Sequence, residues 1–128
     1  MSEKNKKQFG VWMDLHHATI VGRKNIDNGE FILIGHVKNV DSTQHSNENA
    51  SHNSERTLLH KFFKEISSHL QNVEELHITG TGTAQEQFKK YLEETPQFKH
   101  AKLDDSTANK MDDEKFIKLI QSHFPLAA

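Results

Sequence analysis

The chain has no cysteine, which excludes disulfide scaffolds, thiol catalysis, iron–sulfur clusters and cysteine-ligated zinc. Nor does it hold an apolar run approaching the ~18 residues of a membrane-spanning helix. Its mean hydropathy is −0.78, and the opening MSEKNKKQ offers no apolar stretch that would serve as a signal peptide, so a soluble, cytoplasmic chain with no membrane partner is expected. Excess positive charge is missing too: 16 Lys+Arg stand against 18 Asp+Glu, a formal charge of −2. Nucleic acid cannot be held by bulk charge on such a chain, and any RNA contact has to come from a local patch. With 128 residues there is room for one core and one domain. What the chain has in plenty is histidine, ten in all.

Residues 1–7 are polar and read as a disordered leader, 8–124 as the domain, and 125–128 as a tail. Phe9, Val11 and Met13 alternate with Gly10, Trp12 and Asp14, the period of a strand. Ala18–Gly22 follows after too few residues for a helix, so a tight hairpin joins the two runs. The run 30–37 comes after Asn28-Gly29, a pair that favours a two-residue hairpin turn. The segment 41–53, DSTQHSNENASHN, has one apolar residue, an alanine, and predicts a long solvated loop. Leu58, Leu59, Phe62, Phe63, Ile66 and Leu70 then recur at helical spacing, with Asn53 or Ser54 placed to cap. Residues 75–79 read as a short buried strand closed by Gly80-Thr81-Gly82. Thr83-Ala84-Gln85-Glu86 has the form of a capping box, opening a helix striped by Ala84, Phe88, Tyr91 and Leu92 that stops before Pro96. Residues 100–104 give a weak strand. Asp112 then caps a last helix, with Met111 stapled onto Phe116, and with Ile117, Ile120 and Phe124 also turned inward. The predicted order is β-β-β-α-β-α-β-α, an α/β mixed sheet whose later strands are parallel.

That order is the ribonuclease H-like arrangement, and particular segments resemble one branch of it. Phe9-Gly10-Val11-Trp12-Met13-Asp14 followed by Ala18-Thr19-Ile20-Val21-Gly22 resembles the opening of the middle domain of archaeal and eukaryotic peptide-chain release factors and Pelota. It is also similar to the opening of small bacterial relatives, some labelled host attachment or translational-machinery proteins. Leu76 to Leu92 fits the strand, glycine turn and lysine-bearing helix of those relatives, and Leu103–Thr107, Lys110–Asp113 and His123-Phe124 fit their closing segments. The resemblance implies a translation-related module that associates with the ribosome or structured RNA. Release factors of that family carry Gly-Gly-Gln before the first long helix to hydrolyse peptidyl-tRNA, and segment 41–53 contains no glycine. Peptidyl-tRNA hydrolysis by that mechanism is therefore not expected; the first reading is a non-catalytic module, and no cofactor is expected.

Two patterns carry candidate chemistry. In the turn of Gly80, Thr81, Gly82 and Thr83, glycine would let a ligand approach backbone amides at a helix start, and Lys89 and Lys90 lie one to two turns further on. The same residues also suit a plain strand-to-helix turn. Asp14, His16 and His17 at the first hairpin are the weak metal candidates, the centre of an alternative reading as a metal-dependent phosphodiesterase or hydrolase. Against a two-metal nuclease, the fourth strand offers no acid between Leu76 and Thr79, although Glu55, Glu65, Asp104, Asp105, Asp112 and Asp113 stand elsewhere. The remaining histidines look dispersed: His45 and His52 lie in the polar segment, His60 and His69 on opposite sides of one helix, and His36, His77, His100 and His123 stand apart in sequence. Lys4, Lys6 and Lys7 make a short basic leader. Trp12 is core under a covering helix and a docking residue without one. A third reading is a protein-interaction module that self-associates as a homodimer.

Overall fold

A computed structural model describes residues 7–23, 30–39 and 51–124, with no side-chain description for 51–56. The expected leader up to residue 6, the Asn28-Gly29 turn, most of segment 41–53 and the expected tail lie outside the described residues.

Five strands and three helices follow in the predicted order: β1 Gln8–Met13, β2 His17–Arg23, β3 Phe31–Lys38, α1 Ser51–Ser68, β4 Glu75–Gly80, α2 Thr83–Glu93, β5 Lys102–Thr107 and α3 Asp113–His123, with a 3₁₀ turn at Pro96–Phe98 after α2. The sheet runs β3-β2-β1-β4-β5. β1, β2 and β3 pair antiparallel, while β4 pairs parallel to both β1 and β5. This is the α/β, ribonuclease H-like mixed sheet.

Alternation along β1 sends side chains to two cores. Phe9, Val11 and Met13 join Ile20, Ile78, Phe62, Phe63, Ile66 and Phe88 under α1 and α2. On the other face Trp12 packs with Val21, Phe31, Phe116 and Ile120 under α3. Trp12 is thus core, 3% exposed, and its Nε1 donates to the Ala108 carbonyl at 3.1 Å, which meets the requirement of a buried indole. One irregularity sits on β3: Ile20 pairs with Gly35 but Val21 with Leu33, so an extra residue is accommodated there. That bulge reverses the parity of β3, and Phe31 therefore faces one core while Val37 faces the other.

Three boundaries differ from the sequence reading. α1 begins at Ser51, ahead of the expected caps Asn53 and Ser54, so the polar loop does not extend to 53. Its apolar periodicity starts only at Leu58, and apolar spacing marks where a helix is buried, not where it begins. β5 spans Lys102–Thr107 instead of 100–104. It is an edge strand of mostly exposed polar residues, so hydrophobic pattern cannot locate it; its limits come from backbone pairing with β4, Glu75 to Lys102 through Gly80 to Thr107. Lys7 does not belong to a free leader, because its carbonyl accepts from the Glu74 amide at 2.8 Å. The cap of α3 forms as predicted: the Asp112 side chain accepts from the Lys115 amide at 2.9 Å, and Met111 packs with Phe116.

Candidate functional site

The Gly80–Thr83 turn joins β4 to α2 at one end of the sheet. Gly80 is required by close approach: a Cβ there would collide with the Met13 carbonyl of the parallel neighbour β1. Gly82 is required by conformation, with φ +131°. The capping contact differs from the expected one. Gly82 stands at the N-cap and has no side chain, so the box cannot be built from Thr83 and Glu86. Instead the Gly82 amide donates to Gln85 Oε1 at 2.7 Å. Gln85 is 1% exposed, and its Nε2 donates to the Ser106 carbonyl at 2.9 Å and to Thr107 Oγ1 at 3.5 Å. One buried amide thus closes the helix start and fastens it to β5.

Thr81, Thr83 and Lys90 are exposed and Gly82 partly so, whereas Gly80 is buried. Lys89 is half-buried and its Nζ lies 3.4 Å from Asp105 Oδ1 on β5, so an internal carboxylate already holds part of its charge. Lys90 is the more available cation of the pair.

At the first hairpin, Asp14 has a structural task. Its Oδ1 accepts from the amides of His16 at 2.8 Å and His17 at 2.7 Å, while its own amide donates to the His17 carbonyl at 3.0 Å. Asparagine and aspartate shape turns in this way. His17 Nδ1 is 3.8 Å from the same carboxylate oxygen, and the His16 and His17 rings are 6.4 Å apart. The three residues are neighbours in the turn, but among the described residues their ligand atoms do not converge as a three-ligand metal group. A cleft of about 450 Å³ lies beside His17, between β2, β3 and the start of α3, where His36 Nε2 and Asp113 Oδ1 stand 3.1 Å apart.

The cluster that sequence spacing did not show lies on the α3 face of the β4–β5 pair. Register sets His77 opposite Asp104 and Thr79 opposite Ser106. His77 Nδ1 is 2.7 Å from Asp104 Oδ1, and its Nε2 is 2.9 Å from Ser106 Oγ, which in turn donates to Thr79 Oγ1 at 2.9 Å. His123, in the last turn of α3, brings Nε2 to 3.2 Å from Asp104 Oδ2. Its ring lies on that of His77, with centroids 3.9 Å apart and planes 31° from parallel. Ligand atoms of His77, Asp104 and His123 all fall within 4.8 Å of one another, within reach of a shared ion.

The end of α3 is held in place from β2. Arg23 Nη2 donates to the Phe124 carbonyl at 3.0 Å, its Nε donates to Gln8 Oε1 at 2.7 Å, and its guanidinium sits 4.5 Å over the Phe31 ring. Gln8 Nε2 in turn donates to Glu75. Burial lowers the Arg23 pKa and Glu75 opposes that shift; an arginine keeps its charge under such a change.

Among solved structures, Pelota of Thermoplasma acidophilum is similar over 93% of this chain, with 20% identity and a TM-score of 0.60. Pelota of Archaeoglobus fulgidus is similar over 94%, with 16% identity and a TM-score of 0.59. An archaeal translation termination factor is similar over 85%, with 14% identity and a TM-score of 0.52. The chain spans about a third of the length of each, 33%, 32% and 32%. No protein-family model and no curated protein matches the sequence. At these identities the likeness is one of fold: this chain is built like one portion of Pelota and of a translation termination factor.

Proposed function

We propose that the chain is a non-catalytic, translation-related module that acts in the cytoplasm, at the ribosome or on structured RNA. The observation that carries this reading is the fold, which matches Pelota and a translation termination factor over most of residues 8–124, taken here as a single domain. Fold alone is a weak guide to function, so the sequence has to add to it. The motifs at 9–14 and 18–22 support kinship with the bacterial relatives of the release-factor and Pelota middle domain. Segment 41–53 has no glycine from which Gly-Gly-Gln could be built, which argues against peptidyl-tRNA hydrolysis. The contact surface we assign is the Gly80, Thr81, Gly82, Thr83 turn with Lys89, Lys90 and segment 41–53. Exposure of Thr81, Thr83 and Lys90 suits that role, and a chain of net charge −2 must concentrate its phosphate contacts in such a patch.

Sedimentation through sucrose gradients tests the reading. At low salt the protein is expected to travel with ribosomal particles and to leave them as salt rises; a protein that stays at the top at every salt concentration would remove the proposal. Lys90→Glu is expected to shift most of the bound protein to the top. Unchanged co-sedimentation of that variant and of Lys89→Glu/Lys90→Glu would clear this surface of the role while leaving the association intact.

A further inference from the structure

We propose that His77, Asp104 and His123 form a binding site for one divalent transition ion of the zinc class. Nothing in the translation-related reading requires this site, and its support is independent of that reading.

His77 Nε2 lies 2.9 Å from Ser106 Oγ, and Ser106 Oγ 2.9 Å from Thr79 Oγ1, so this hydroxyl pair can accept a proton carried on Nε2 and leave Nδ1 as the lone-pair nitrogen. The lone-pair nitrogen Nδ1 then faces Asp104 Oδ1 at 2.7 Å. Without an ion, a proton on Nδ1 satisfies the 2.7 Å contact with the carboxylate, and a bound ion takes the place of that proton. The same chain of contacts is what a metal-binding histidine needs behind it: the nitrogen away from the ion donates to a fixed acceptor, which locks ring orientation and tautomer. His77 is 7% exposed at its side chain and sits in mid-strand, so the Ser106–Thr79 chain holds a ligand that cannot drift.

The other two ligands are built for access. The side chains of Asp104 and His123 are 58% and 33% exposed. A cleft of about 330 Å³, bordered by Glu75, Lys102, Asp104 and Phe124, opens beside the carboxylate. His123 also occupies the C-terminal turn of α3, where the partial negative charge of the helix end favours a cation. Zinc bonds of about 2.0–2.2 Å place tetrahedral donors roughly 3.3–3.6 Å apart. Asp104 stands 2.7 Å from one imidazole nitrogen and 3.2 Å from the other, so a small rotation of its exposed carboxylate admits the ion. Two imidazoles and one carboxylate suit zinc, cobalt or nickel and not the all-oxygen preference of calcium or magnesium. Three protein ligands leave a fourth position for water.

The test uses full-length, untagged protein stripped with a chelator and titrated with zinc sulfate in a calorimeter. Cobalt(II) absorption serves as a second readout. One saturable equivalent is expected, with the His77 and His123 ring resonances shifting together in nitrogen-detected spectra. His123→Ala should weaken binding at least tenfold, and Ser106→Ala, which removes the hydrogen bond behind His77, by about 10–100-fold. His16→Ala/His17→Ala should leave the site unchanged. No one-to-one saturation would overturn the proposal, as would undiminished affinity in His123→Ala. Should that variant fail to fold by circular dichroism, Asp104→Asn, altered at a largely exposed side chain, carries the same decision.

Discussion

Gly80 and Gly10 are both packed against neighbours that a methyl group would strike, yet the neighbours differ in what they can yield. At Gly80 the obstacle is the Met13 carbonyl of β1, fixed in the ladder; at Gly10 it is the Ile120 side chain, which yields when α3 shifts slightly on the sheet. Gly80→Ala is therefore expected to cost about 3 kcal/mol or more, and Gly10→Ala about 1–2 kcal/mol, as read from urea denaturation midpoints. Equal costs would mean that the β1–β4 approach is not the constraint. The sequence showed a glycine turn here and offered two explanations, a phosphate cradle or a strand-to-helix turn. Packing at Gly80 and the φ of Gly82 account for both glycines without a ligand, and the parts of this turn and helix most open to the proposed RNA contact are Thr81, Thr83 and Lys90. Asp14 shows the same limit. Residue type and strand position suggested a ligand, and only the two amides bound to its carboxylate reveal a turn residue.

At the scale of the element, α2 is closed by Gln85, a residue with contacts on two elements. Gln85→Ala leaves the Gly82 amide and the Ser106 carbonyl without this partner in a part-buried setting, which is expected to cost about 1–2 kcal/mol. Glu86→Ala, the change that would matter if the sequence-predicted box existed, should stay within about 0.5 kcal/mol, because Glu86 is exposed. The reverse ranking in thermal unfolding would restore the Thr83–Glu86 cap. Element type and order were legible throughout, because Phe62, Phe63, Ile66, Phe88, Phe116 and Ile120 keep helical spacing while β1 alternates. β5 was poorly legible for a physical reason: Asp104, Asp105, Ser106 and Thr107 are exposed, so no apolar period records the strand. The start of α1 was hidden in the same way, since its first turns are polar.

For the molecule as a whole, one sheet separates two cores, with α1 and α2 on one side and α3 on the other. Ile66 and Ile120 are both fully buried, in different hydrophobic clusters on opposite faces of the sheet. Ile66→Val and Ile120→Val are each expected to cost about 0.5–1.5 kcal/mol. Their effects should add within about 0.5 kcal/mol in the double variant; a larger departure would mean that the sheet transmits strain between its faces. The sequence alone determined the absence of thiol chemistry, the order of strands and helices, the Asp112 cap and the apolar character of both faces, because these depend on residue type and on spacing within a few positions. It could not bring His77, Asp104 and His123 together. Asp104 lies 27 positions from His77 and 19 from His123, and they meet because parallel pairing fixes β5 against β4 in one register while α3 packs back across that face. Histidines that look scattered along the chain become a cluster only through strand register and helix packing, long-range contacts that leave no periodic trace in the sequence.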